Sequence, residues 1–121
     1  MSSEYCVDGG AMKKTYNKLI RDRIPEIIEK AGHESKVRVL DDDEYFTSLC
    51  KKLQEEVDEF QESRALEELA DIMEVVLALA AVEGKTPEDL EVLRLQKREK
   101  RGGFEEGVFL EEVLSEDTYN N

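Results

Sequence analysis

Apolar residues at helical spacing organise the middle of the chain. Residues 42–62 repeat an apolar side chain every three or four positions, at Phe46, Leu49, Leu53, Val57 and Phe60. At about 100° per residue these positions form one stripe, which predicts a helix over 42–62. Asp41 followed by Glu44 is typical of the N-terminus of such a helix.

Three further helices are predicted from pattern and punctuation. Residues 65–83 are apolar nearly all round in their second half, which is typical of a helix covered on several sides. Pro25 starts a helix that ends at Gly32, and Thr86-Pro87 starts another that runs to about residue 100. Residues 35–40 alternate polar and β-branched side chains, but the segment is too short to found a sheet and is expected to cross over to the next helix. We therefore predict an all-α, four-helix-bundle-like fold, with extended chain over 104–113.

Carboxylates interrupt the apolar stripe of the 42–62 helix. Glu56 falls between Leu53 and Phe60, and Glu59 lies at the edge of the stripe, whereas Asp58 faces solvent. The next helix repeats this arrangement at positions three apart. There, the acids that share a face with the apolar side chains are Glu68 and Asp71.

Acids gathered in a partly dry space need a counter-charge, because desolvation and mutual repulsion both raise their pKa values. An all-oxygen ligand set suits Mg²⁺ or Mn²⁺, and the lack of a nearby histidine or cysteine argues against zinc. An ordinary solvated acidic face is the alternative interpretation. The pairing of acids on the apolar side of two successive helices favours the metal site.

Length and charge narrow the class of protein. The chain has 121 residues, 40% of them apolar, and a formal net charge of -13. This predicts one modest domain over residues 13–114, with a flexible leader at 1–12 and a tail at 115–121. The negative charge disfavours nucleic acid and anionic membranes as partners. Cys6 and Cys50 lie far apart and lack metal-ligand spacing, which favours reduced thiols and a cytoplasmic protein.

Two basic clusters stand out in this acidic chain. The first contains Lys18, Arg21 and Arg23, and the second runs over residues 97–101, just before Gly102 and Gly103. Cations at a helix C-terminus are also favoured by the helix dipole, so the second cluster has a structural as well as a functional interpretation. Lys52, one turn before Glu56, is either its ion-pair partner or a phosphate contact. The candidate phosphate-binding residues are Lys18, Arg21, Lys52, Lys97 and Arg101.

Four sequence blocks together resemble one family. The acidic pattern Glu55-Glu56-x-x-Glu59 followed by Glu68-x-x-Asp71 is similar to the split signature of the MazG-like all-α nucleoside triphosphate pyrophosphohydrolases, which include phosphoribosyl-ATP pyrophosphohydrolases. The blocks at 16–25, 39–42, 68–75 and 97–104 resemble one small, single-domain branch. The resemblance covers residues 16–110. Its two acidic halves are unusually close, which implies a tight turn near Ser63.

The resemblance implies a function and residue roles. It implies Mg²⁺-dependent hydrolysis of a nucleotide between its α- and β-phosphates, giving a monophosphate and pyrophosphate. By that resemblance the metal ligands are Glu56, Glu59, Glu68 and Asp71, and Glu55 is a further acid that helps to orient or activate water. We expect a nucleotide as substrate and a homo-oligomer, with a dimer favoured, because the apolar central helix exceeds what three short neighbours cover.

Two other classes of protein are compatible with parts of the sequence. An acidic helical interaction protein would bind a basic partner, and metal would change it little. A carboxylate-bridged di-iron protein would need an inward histidine, but the single histidine, His33, follows Gly32 at a helix end. This disfavours the di-iron class.

Overall fold

The computed structural model describes residues 4–8 and 11–115. Its helices are α1 (Ile24–Lys30), α2 (Asp42–Ser63), α3 (Leu66–Val82) and α4 (Pro87–Arg101). The prediction of an all-α arrangement with four helices is therefore confirmed for residues 24–101, and the strands of the described residues precede this part of the chain. The described residues form two compact units, one on each side of the boundary between Thr86 and Pro87. The prediction of a single domain over 13–114 stays a prediction.

Helices α2 and α3 pack against each other as a helical hairpin. Asp41 caps α2, since its side chain accepts a hydrogen bond from the backbone N–H of Glu44 at 2.8 Å. The Glu44 carboxylate pairs with Arg38 at 2.9 Å. Arg64 ends the helix in the left-handed conformation, with φ of 56°. The tight turn expected near Ser63 is therefore formed by Arg64 and Ala65.

Helix α1 and the segments beside it complete the first unit. Pro25 lies in the first turn of α1, as predicted, and Gly32 follows the helix with a positive φ. Residues 33–41 form neither helix nor strand. This agrees with the expected crossover to α2.

The second unit contains α4, which begins at Pro87. Gly102 follows its last turn with φ of 82°, and its N–H donates to the carbonyl of Arg98 at 2.8 Å. The left-handed conformation is one that glycine adopts without steric cost. Residues 102–115 contain a turn but neither helix nor strand.

The expected leader contains regular structure. Strands β1 (Glu4–Asp8) and β2 (Ala11–Thr15) pair as an antiparallel hairpin, with Asp8 opposite Ala11. Its two intervening positions are glycines, the residue type that tight hairpin turns favour. This signal was missed because the leader was expected to lack a pattern. Residues 1–3 and 9–10 of the leader, and 116–121 of the tail, lie outside the described residues.

Few apolar side chains are fully covered. Among residues 13–115, for which burial is described, the buried apolar residues are Leu49 on α2 and Val75 on α3. Leu49 and Val75 both lie on the face of the α2–α3 helical hairpin that also carries the candidate acids. Within this range no helix is long and apolar enough to cross a membrane.

Candidate metal centre

The acidic cluster, defined as Glu56, Glu59, Glu68 and Asp71, lies between α2 and α3. The apolar stripe of α2 turns toward α3 and carries Glu56 with it, leaving the Glu56 side chain only 7% exposed. Glu68 lies in the first turn of α3 and is half-buried, as is Asp71 one turn later. The structure thus brings together residues that the sequence separates by up to 15 positions.

Three members of the acidic cluster converge closely. Glu56, Glu68 and Asp71 each offer a carboxylate oxygen, and these oxygens all lie within 4.8 Å of one another. Oε2 of Glu56 and Oε2 of Glu68 are buried and have no hydrogen-bond partner among the described residues. Buried carboxylate oxygens without partners are unfavourable, because they have lost water and gained nothing in exchange.

The fourth member of the acidic cluster, Glu59, affects the pKa of Glu68. Burial of the Glu68 carboxylate, together with the negative charge of Glu59, raises the pKa of Glu68 above its usual range. A hydrogen bond that the protonated Glu68 carboxyl donates to Glu59 and the charges of Glu56 and Asp71 raise this pKa further. The acidic cluster therefore repels additional negative charge and attracts cations.

Two protein cations already contact the acidic cluster. Nζ of Lys52 lies 3.3 Å from Oε1 of Glu56 and 3.7 Å from Oε2 of Glu55. Nη2 of Arg21 donates to Oδ1 of Asp71 at 2.6 Å. Of the two interpretations open for Lys52, the structure shows the ion pair with Glu56. Glu55, the expected fifth acid, is placed beside this pair.

A divalent cation fits this set of side chains. The acidic cluster consists of carboxylates only, and hard cations such as Mg²⁺ and Mn²⁺ prefer oxygen ligands. The two buried oxygens that lack a hydrogen-bond partner among the described residues are available to contact such an ion directly. His33 follows α1 and is not part of the cluster.

The other predicted phosphate-binding residues lie elsewhere. The Lys18 ammonium stands over the ring of Tyr16, 5.5 Å from its centroid. Lys97 and Arg101 belong to the second unit, where they line an open groove of about 610 Å³ beside the Gly102-Gly103 pair. The structure thus places Arg21 and Lys52 at the acidic cluster and gathers Lys97 and Arg101 in the second unit.

The groove of the second unit contains two kinds of cation. Arg94 pairs with Glu91, and Arg98 pairs with Glu105 at 2.8 Å. Lys97 and Arg101, by contrast, have no ion pair with a described residue. The predicted basic cluster at 97–101 includes Arg98, but sequence reasoning had not proposed Arg94 or the highly exposed Phe104 as groove residues. The helical spacing of residues 94, 97, 98 and 101 was the available signal.

Comparison with known proteins gives one short match. No protein-family model matches the chain, and no solved structure matches it. An uncharacterized protein of Mycolicibacterium smegmatis (strain ATCC 700084 / mc(2)155) is 51% identical over 43 residues, which is 36% of this chain. The match spans 44% of that relative, less than half its length.

Proposed function

We propose that this chain is a nucleotide pyrophosphohydrolase that requires Mg²⁺, or alternatively Mn²⁺, and cleaves its substrate between the α- and β-phosphates. The products would be a nucleoside monophosphate, or a related monophosphate, and pyrophosphate. The observation that carries the proposal is the convergence of Glu56, Glu68 and Asp71 within 4.8 Å, with two buried oxygens that have no hydrogen-bond partner in the described part of the chain. The resemblance to the MazG-like pyrophosphohydrolases supports the same reaction.

Each acid has a defined place in this proposal. Glu56, Glu59, Glu68 and Asp71 would hold the divalent ion. When bound, the ion supplies neutralising charge for the phosphates and lowers the pKa of a water molecule. Glu55, which is half-buried beside Lys52, would orient that water or accept its proton. Without a cation, four carboxylates would repel a polyphosphate.

The cations would bind the substrate phosphates. Arg21 and Lys52 already lie at the acidic cluster, and Lys18 lies in the same segment, just before Arg21. In the second unit, Lys97 and Arg101 have charges that no described acid neutralises, and Gly102 and Gly103 add backbone N–H groups without side chains. Such a groove suits an anion, because guanidinium and backbone N–H groups both donate to phosphate oxygens.

We also propose that two copies of the chain associate. Leu49 and Val75 are the buried apolar residues among positions 13–115, while Leu66 and Met73 of α3 are 80% and 64% exposed. A second copy would cover this surface and complete a four-helix-bundle-like core. Without a second copy, Leu66 and Met73 would stay exposed to water.

A product analysis tests the proposed reaction. Protein stripped with EDTA would be incubated with a panel of nucleoside triphosphates, with and without Mg²⁺ or Mn²⁺, and its products separated by anion exchange. We expect metal-dependent release of pyrophosphate and a monophosphate from at least one nucleotide. Orthophosphate plus a diphosphate would contradict cleavage between the α- and β-phosphates. No turnover and no effect of metal would instead favour the acidic helical interaction protein.

A further inference from the structure

The two cations at the acidic cluster are anchored differently. Lys52 sits on α2, one turn before its partner Glu56, so the helix backbone fixes their separation. Arg21 reaches Asp71 across 50 positions of sequence from a segment, residues 16–21, that contains neither helix nor strand. Only the first of these ion pairs is therefore built into a single helix.

Their exposure differs in the same direction. The side chains of Lys52 and Glu56 are 21% and 7% exposed, whereas those of Arg21 and Asp71 are 56% and 37% exposed. Separating Arg21 from Asp71 returns both charges to water, so the loss of this pair costs little free energy. Separating Lys52 from Glu56 would leave the Glu56 carboxylate buried without its counter-charge. Arg21 is thus the cation that the acidic cluster can release.

Charge also connects Arg21 to the divalent ion. Among the described residues, Lys52 and Arg21 form ion pairs with the acidic cluster, and its four carboxylates exceed these two cations in charge. A divalent cation at Asp71 would neutralise the negative charge that holds Arg21. The guanidinium of Arg21 would then be available to bind an anion through its two parallel N–H donors.

We propose that Arg21 is an exchangeable counter-ion: it holds Asp71 until a divalent cation binds there, and is then released to bind an anion such as phosphate. This inference rests on the metal site of the proposed function but assigns Arg21 a second, earlier role. Cation and anion binding are coupled through one side chain, and because coupling is reciprocal, each promotes the other. The arrangement disfavours phosphate binding before the ion is present.

Metal-binding calorimetry tests the exchange without measuring turnover. Mn²⁺ would be titrated into EDTA-stripped wild type, Arg21→Gln and Arg23→Gln. Arg23 is the matched control, because it lies two positions away and pairs with Glu26 at 3.1 Å instead of with the acidic cluster. Arg21→Gln should bind Mn²⁺ about two- to fivefold more tightly than wild type, since the ion no longer competes with a guanidinium. Arg23→Gln should bind nearly as wild type does.

A second measurement follows the guanidinium itself. The Nε–H resonance of Arg21, identified by its loss in Arg21→Gln, should shift when Mg²⁺ is added to wild type. Inorganic phosphate should then shift it again, and should do so far less without Mg²⁺. Equal Mn²⁺ affinities of Arg21→Gln and Arg23→Gln, or an Arg21 resonance that Mg²⁺ leaves unmoved, would overturn the exchange alone. Failure of all three proteins to bind Mn²⁺ would overturn both the exchange and the metal site.

Discussion

The acidic cluster lies on the α2–α3 hairpin, and the basic groove is the groove at the end of α4 that is lined by Arg94, Lys97, Arg98 and Arg101. Both regions contain many charged side chains, but these side chains differ in burial and in pairing. In the acidic cluster, Glu56 occupies a position where the helix buries apolar side chains, and its Oε2 has no partner among the described residues. In the basic groove every charged side chain is exposed, and Arg94 and Arg98 are paired with acids.

The difference shows which charges carry information about function. A cation in the last turn of a helix is stabilised by the helix dipole and by solvent, so its presence needs no ligand. A carboxylate at an apolar position is unfavourable unless something neutralises it. The acidic cluster therefore supports a ligand site more strongly than the basic groove does. The predictions below test this ranking, from the largest expected effect to the smallest.

Loss of a proposed metal ligand should have the largest effect. Asp71→Asn should lower turnover by about 100-fold or more, because removing groups that merely orient ligands already costs roughly 10- to 100-fold. Asp58→Asn is the control, since Asp58 is exposed on the same hairpin and accepts a hydrogen bond only from Gln54 among the described residues. Steady-state rates of pyrophosphate release would measure both. Similar rates in the two variants would remove Asp71 from the site.

Loss of the inner counter-ion should appear in stability. Lys52→Ala should lower the free energy of unfolding by about 1–2 kcal/mol, because it leaves the buried carboxylate of Glu56 unpaired. Lys51→Ala, at the exposed neighbouring position, should change it by less than about 0.5 kcal/mol. Urea denaturation of the EDTA-treated proteins measures this difference. A loss of equal size in both variants would mean that Glu56 does not depend on Lys52.

The basic groove should affect binding and not folding. Arg101→Ala should raise KM for the nucleotide roughly three- to tenfold while the helical content stays constant, since one charge-assisted hydrogen bond is lost. Lys100→Ala changes the same charge at an exposed position that does not line the groove. If KM and kcat are unchanged by Arg101→Ala, its charge serves only the end of α4.

The raised pKa of Glu68 predicts a pH dependence. Because folding raises this pKa above 4.5, the folded chain binds the proton more tightly than the unfolded chain, and stability falls as pH rises through the folded pKa. Glu68→Gln should therefore be more stable than wild type at neutral pH without metal, and the difference should shrink as pH approaches 4.5.

The neighbouring residue supplies the control for that titration. Glu67 lies in the same helical turn and is exposed. Glu67→Gln should change stability by less than about 0.5 kcal/mol, as is usual for a substitution at an exposed position. Thermal melts in EDTA between pH 4 and 8 would measure both variants. A pH-independent difference for Glu68→Gln would contradict the raised pKa.

Local signals in the sequence were sufficient to predict the helices. The predicted helices at 42–62 and 65–83 agree with α2 and α3 to within about one residue at each end, because period, caps and glycine stops all act within a few positions. The same periodicity placed Glu56, Glu59, Glu68 and Asp71 on the inner faces of their helices. Their roles as metal ligands remain predictions.

Contacts between distant parts of the chain were not predictable in the same way. The pair between Arg21 and Asp71 joins positions 50 apart, and no spacing rule relates a loop residue to a particular helix turn. Lys52 had two interpretations, because an i, i+4 spacing to Glu56 permits an ion pair without requiring it. The structure shows the ion pair with the buried Glu56, and the phosphate contact of Lys52 stays a prediction.

The most direct test of the metal centre is the change in melting temperature that Mg²⁺ causes in wild type, Glu56→Gln, Asp71→Asn and Asp58→Asn. A ligand at a hundredfold excess over Kd stabilises the folded state by about 2.7 kcal/mol, so wild type and Asp58→Asn should show the same large upward shift. Glu56→Gln and Asp71→Asn should shift much less, because each removes a carboxylate from the acidic cluster. Equal shifts in all four proteins would contradict a metal site at these residues.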